Sequence, residues 1–321
     1  MTIIPYARPP AFLALAIAAV LFSGTVFAPQ AHAATQTAAA ASESKATRLD
    51  RLYAEFWEAS LKLNPLQATF QGDNRYNDQL PNFLTEASRK EAHAFTVHWL
   101  ERAEAIGPDG LSGQDRLSYD IFVKNAKDSL EGESFPTHLM PVDQFNNIAA
   151  FAAQLGSGSN AQPFKTVKDY DDWRARGGKL AAIFDQAIVN MREGMRRGVV
   201  QPKALMQKVL PQFDALIADQ ADKTLFWGPI KNMPATFSDT DKARITAEYK
   251  AMIEQEIMPA YRRMREFIAK EYLPACRDTA GMGSLPDGQS WYAFNAYLNT
   301  TTRRTPAQIH QTGLDEVARI H

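Results

Sequence analysis

Cysteine is nearly missing: Cys276 is the only one in 321 residues. One thiol excludes an internal disulfide framework, and no histidine lies nearby in sequence to activate it as a nucleophile. It reads as a buried or incidental thiol. Histidine is scarce as well, and none of the six is followed by glutamate, so the H-E-x-x-H metal signature is missing. His93 and His98 are five positions apart, about 140° around a helix, and do not converge. His310 and His321 share a helix face but stand about 16 Å apart along it, too far for one zinc ion with ligands near ~2 Å. There is no G-x-S-x-G elbow and no P-loop. Gly156-Ser157-Gly158-Ser159-Asn160-Ala161 mimics a dinucleotide fingerprint, yet it follows a helical pattern instead of a strand and runs into Pro163. Charge of one sign is also lacking. The formal net charge is −1, which points to neither nucleic acid nor an anionic membrane surface as partner. No fixed repeat of about 20–50 residues occurs.

Alternation at period two is missing throughout, which excludes a central sheet. Helical periodicity replaces it. Leu49, Leu52, Tyr53, Phe56, Trp57 and Leu61 form one stripe, closed by Asn64-Pro65. A second helix is expected over 85–106. A third follows Ser112, with Leu117, Ile121, Phe122 and Leu130 inward. A helix lies within 143–155, and a long one starts at the Thr166/Asp169 cap and continues through Leu180 to Gly198. Another follows Pro202. Residues 225–238 read as a loop with buried aromatics. The longest helix spans about 239–272, and Pro259 is expected to kink or break it because it lacks a backbone donor. The fold expected is all-α, a multi-helix array with long kinked helices and at most a short hairpin near 290–303.

The N-terminus reads as a signal peptide over 1–33. Arg8 is followed by an apolar run from Ala11 to about Val26 and by Ala31-His32-Ala33, which fits cleavage between Ala33 and Ala34. The run, about 16 residues, is shorter than the roughly 20 a membrane span needs. The expectation is a periplasmic or secreted bacterial protein with no stable membrane anchor after cleavage. Residues 34–46 are small and polar, a flexible tether, and 47–321 form the helical domain.

The last stretch carries the most information. Thr305, Pro306 and Gln308 compose a capping box with proline at the first helical position. Ile309, Gly313, Val317 and Ile320 then share one face, and the pattern stops at His321 without a stop signal. Such a helix reads as part of something longer. Before it, Trp291, Tyr292, Phe294 and Tyr297 crowd into seven residues beside Thr300–Thr302, Arg303 and Arg304. Apolar walls with polar tips are how ligand pockets are built. Trp291, Tyr292, Tyr297 and Arg304 are therefore the substrate-cleft candidates, although cores also use aromatics. Asp169, Asp171 and Asp172 in a first turn, and Arg192, Arg196 and Arg197 in a last turn, are explained by the helix dipole. An anion clamp is the alternative role for the three arginines. No catalytic residue and no metal ligand is assigned in this chain.

The pattern L-P-D-G…W-Y…T-T-T…T-P-x-x-I-H-x-x-G-L-x-E-V-A-R-I over 285–320 resembles the bacterial "domain of unknown function 885" family. NPLQATFQGD at 64–73, DRLSYD at 115–120 and NMREGMRRGVVQP at 190–202 resemble it too, in the family's order. The family is itself similar to the mostly helical zinc metallopeptidases of the gluzincin type. The resemblance implies a peptidase-like protein roughly twice this long that hydrolyses peptides with a zinc-bound water. Its zinc helix, with a His-Glu…Gly-His motif, would lie beyond residue 321. It implies zinc in the full-length form, no cofactor in this chain, and a substrate-cleft half that is inactive by itself. The alternative from another class is a self-sufficient, non-enzymatic, all-helical periplasmic binding or scaffold protein.

Overall fold

The structure, a computed structural model, describes residues 43–321. The expected signal segment, its cleavage point at Ala33–Ala34 and most of the tether lie outside the described residues. The architecture is all-α. Among the described residues the one strand-like pairing is an isolated parallel bridge between Pro202 and Arg277, and no helix is long and apolar enough to cross a membrane. The hairpin allowed for near 290–303 is not formed, since a helix occupies 288–300.

Helices α1 (Lys45–Leu63), α2 (Pro65–Phe70), α3 (Glu86–Ile106) and α4 (Gly113–Gly132) open the chain. Ser44 caps α1 by accepting from the Thr47 N–H. Asn64 ends α1 and caps α2, accepting from the Gln67 N–H ahead of Pro65 at the first helical position. α1, α3 and α4 enclose a core of Leu49, Leu52, Trp99, Ala103, Ile106, Tyr119 and Phe122. At its centre Phe56 meets Trp99 and Phe122 edge-on, with ring centroids 5.7 and 5.0 Å away. The inward face of α4 carries Tyr119, Phe122 and Ala126. Leu117 and Ile121, expected inward, are instead 53% and 37% exposed, because the stripe that fits against α1 and α3 is set by the larger rings of Tyr119 and Phe122.

The main core is built by α5 (Ile148–Leu155), α6 (Val167–Gly177), α7 (Leu180–Arg197), α8 (Lys203–Leu216), the short α9 (Gly228–Lys231) and a long composite helix. α5 starts later than the pattern indicated. Asp143 Oδ1 accepts from the Phe145 and Asn146 N–H groups, forming a turn, and Asn147 then caps the helix. Residues 225–238, expected as a loop, contain α9 and a 3₁₀ turn that buries Phe226.

The single long helix expected from Thr166 to Gly198 is two, α6 and α7, broken at Gly178-Lys179. A Cβ on Gly178 would lie 2.8 Å from Glu256 Oε2 and one on Gly177 would lie 3.0 Å from Met252 Sδ. The glycine pair leaves room for another helix pressed against the break. That helix comprises α10 (Asp239–Ala251), a π turn (Met252–Ile257), α11 (Met258–Phe267), a second π turn (Ile268–Tyr272) and α12 (Leu273–Ala275). It is not broken at Pro259. Pro259 and Pro274 each sit at the second residue after a π turn. The wider i→i+5 turn absorbs the missing N–H and moves the carbonyl that the ring would strike.

Buried tyrosine hydroxyls tie these helices together. Tyr261 donates to the Ala149 carbonyl at 2.6 Å, Tyr249 to Tyr170 at 3.0 Å and Tyr170 to Pro229 at 2.8 Å. Tyr272 Oη accepts from the Gln201 N–H at 3.0 Å. Burial pushes the Tyr170 phenol up to about 12.

Arg176, fully buried at the end of α6, is the main polar tie. Its Nε donates to the Gln79 carbonyl (3.0 Å), Nη1 to Thr69 Oγ1 (2.9 Å) and Gln162 Oε1 (2.7 Å), and Nη2 to the Tyr76 carbonyl (2.7 Å). None of these partners is a carboxylate. Replacing Arg176 with Met keeps the volume and strands four acceptors. We expect a loss of about 3 kcal/mol or more, read as a lower urea midpoint at unchanged slope. Arg176→Lys should fall close to it, since an ammonium cannot span the fork. A loss below about 1 kcal/mol for both variants would contradict this role.

Candidate functional site

The sequence L-P-D-G turns the chain into α13 (Gly288–Thr300). Asp287 takes a left-handed φ of 53°. Gly288 is required because a Cβ there would stand 2.0 Å from the Met282 carbonyl oxygen. α13 lays one face on α4 and on the 135–139 segment. Trp291 is buried against Leu139, Val199 and Leu285 and stacks on Phe135, with centroids 5.8 Å apart and planes at 14°. Phe294 meets Phe135 at 5.2 Å and covers Gly132.

Tyr297, 8% exposed, closes this face. Its hydroxyl donates to Asp128 Oδ1 at 2.8 Å, and Lys124 Nζ donates to Asp128 Oδ2 at 2.5 Å. Lys124 Nζ lies 4.6 Å from the ring centroid and the Arg303 guanidinium 3.6 Å from it. Arg303 also grips Glu131 with two hydrogen bonds of 2.9 and 2.8 Å. Hydrogen bonding to Asp128 raises the Lys124 ammonium, and Arg303 holds the Glu131 carboxyl below its usual range. The group is a closed lock between α4 and α13, with every charge matched.

The four cleft candidates do not converge. Trp291 and Tyr297 share the packed face. Tyr292 is 50% exposed, on the other side of α13. Arg304 is exposed beyond the helix and donates to Thr312 Oγ1 at 3.1 Å, on α14 (Pro306–Ile320). The capping box of α14 forms as expected, with Thr305 and Gln308 bonding each other's backbone N–H. Past Ile309 every residue of α14 is exposed. Leu314, Val317 and Ile320 are 50%, 55% and 71% exposed.

The other residues singled out in the sequence have local partners or packing roles. Arg192 pairs with Glu271 at 2.7 Å and Arg196 with Glu193, so two of the three clamp arginines already hold carboxylates. Asp169 completes a capping box with Thr166, Asp171 pairs with Arg244 and Asp172 with Lys168. His93 Nδ1 lies 2.6 Å from Glu133, while His98 sits edge-on to Trp99. Among the described residues no three His, Cys, Asp or Glu side chains come together as metal ligands. Cys276 is buried and its thiol is pushed up to about 11 by burial, which keeps it protonated and unreactive at neutral pH.

One feature had no sequence signal. An open cavity of about 290 Å³ lies between the end of α1, the 79–81 segment, α3 and the junction of α6 with α7, with Lys62, Lys179 and Glu91 at its charged positions. These residues come from separate segments and form no motif.

Residues 65–321 match the family described as bacterial protein of unknown function (DUF885). The chain belongs to that family. None of the curated proteins matches it. Among solved structures it is similar to the "putative lipoprotein" from Colwellia psychrerythraea, with a TM-score of 0.70 and 19% identity, over 86% of this chain and 50% of that one. The likeness is one of fold, and the chain spans half the length of that structure.

Tyr297→Phe should cost about 1–2 kcal/mol, because a buried carboxylate loses a donor, while Tyr292→Ala should stay within about 0.5 kcal/mol. Equal effects in urea unfolding would mean that the lock carries no stability. His138 lies beside Leu139 in the turn under Trp291. Burial first, then the charges of Arg89 and Arg197, lower its imidazole from 6.5 to about 4. The unfolded chain takes up that proton near pH 6.5 and the folded chain only near 4. Stability should fall as pH drops through that window, and His138→Gln should flatten the slope between the two values. An unchanged slope would remove His138 as its source.

Proposed function

We propose that this chain is the substrate-cleft half of an exported zinc metallopeptidase-like protein and that it does not catalyse by itself. The described residues do not fit a zinc site, since no three ligating side chains come together. No chemical step is assigned to them. The observation that supports the reading is α14. Its first turn is capped and held, and the loop before it is anchored through Arg303 to Glu131. Beyond Ile309 the helix stands clear of the body with Leu314, Val317 and Ile320 bare. Covering each such side chain is worth roughly 1.5–3 kcal/mol, and a bare stripe of this kind is half of an interface. The reading places the metal-bearing part of a longer protein on that stripe and the peptide between the two parts.

Hydrogen exchange tests this directly. In this chain residues 314–321 should exchange far faster than those around 245–257. A product read through codon 321 should protect 314–321, cleave an unfolded protein such as casein in a zinc-dependent manner, and begin at Ala34 when recovered from the periplasm. Near-global protection of 314–321 in the present chain would make it a self-sufficient helical scaffold instead. A longer product without zinc-dependent cleavage would remove the peptidase reading.

A further inference from the structure

The cavity beside α1 has features that the lock at α13 lacks. Its charges are not spent on each other. Lys62, Lys179 and Glu91 line it, and none of the three forms an ion pair with another described side chain, unlike Lys90 with Glu86 or Lys168 with Asp172. Lys179 Nζ donates one hydrogen bond, to the Asp78 carbonyl at 3.3 Å, and an ammonium has two further donors. Leu63, Pro81 and the small exposed part of Leu80 are the apolar lining.

The wall is also held in place. The Gln79 carbonyl accepts from buried Arg176 at 3.0 Å, and Asn82 Nδ2 donates to the Ala182 carbonyl at 3.0 Å. Leu80, between these two ties, is 7% exposed and joins the main core. A segment fixed at both ends loses little freedom when a ligand arrives. The volume, about 290 Å³, is at the small end of ligand pockets and is enough for an amino acid or dipeptide. Two cations and one anion beside an apolar wall complement a molecule with one carboxylate, one ammonium and an apolar side chain.

We propose that this cavity binds a small zwitterion, a free amino acid or dipeptide, with its carboxylate on Lys62 and Lys179, its ammonium on Glu91 and its side chain on Leu63, Leu80 and Pro81. The residues named are all of this chain, and none of them is at α13 or α14. It goes beyond the cleft-half reading and stands or falls separately from it.

Isothermal titration of the whole chain with leucyl-leucine, its N-acetyl derivative and its C-terminal amide tests the assignment. We expect a dissociation constant on the order of 0.1 mM for the free dipeptide. Blocking either terminus should weaken binding by about tenfold or more. Lys62→Ala and Lys179→Ala should weaken the free dipeptide similarly and leave the amide unchanged, while Glu91→Gln should weaken the free dipeptide and leave the acetylated one unchanged. The three side chains are exposed, so melting temperatures should match the parent and confirm that the variants fold. No binding heat at about 10 mM dipeptide, or affinity indifferent to the blocked termini and to all three substitutions, overturns the proposal.

Discussion

Arg176 carries a full charge into the interior with no carboxylate beside it. Asp78 and Asp172 act on it only at longer range, and burial lowers its guanidinium to about 10, which still leaves it charged at neutral pH. Three of its four acceptors, Thr69 Oγ1 and the Tyr76 and Gln79 carbonyls, lie in one stretch about a hundred positions earlier, and the fourth is the side chain of Gln162. A buried cation without these acceptors would be strongly unfavourable. The region 69–79, which has little hydrophobic content, is thus held against α6 by hydrogen bonding. Gly177 and Gly178, the next two residues, place the break between α6 and α7 against the long helix. The cavity with Lys179 and Gln79 hangs on the same junction.

The long helix solves a second constraint. Two prolines inside one helix would normally end it, but each follows a π turn, and the helix stays continuous with Met252, Ile253, Ile257, Met264 and Ile268 fully inward. Tyrosines then reach across to neighbouring main chain, so that a helix rich in large side chains leaves no hydroxyl on this face unpaired. This rigid interior contrasts with α14, which has comparable amphipathic patterning but is covered by none of the described residues beyond its first turn. Among the described residues, helix formation there rests on its cap and on local sequence.

The aromatic run 291–297 shows why a pocket and a packed face look alike in sequence. Both need large rings with polar tips. In the structure Trp291, Phe294 and Tyr297 fall at i, i+3 and i+6 on one side of α13 and are consumed by Phe135 and Asp128. Tyr292 falls on the opposite side. Nothing local reveals that Asp128, Lys124 and Glu131 wait on α4 to satisfy Tyr297 and Arg303, since those partners are more than a hundred positions away.

Local rules determined most of what is helical here. Caps at Thr85, Thr166, Ser238 and Thr305, the proline after Asn64 and the 3.6-residue stripes are interactions within one or two turns, and a sequence displays them directly. Sequence also carried the family, through motifs kept in order along the chain. Tertiary structure alone decided four things: the break at Gly178, the outward placement of Leu117 and Ile121, the passage of the helix through Pro259, and the assembly of Lys62, Glu91 and Lys179 around one cavity. Each depends on what another segment presses against or leaves open. That information is spread across residues that share no period, no motif and no neighbourhood until the helices pack.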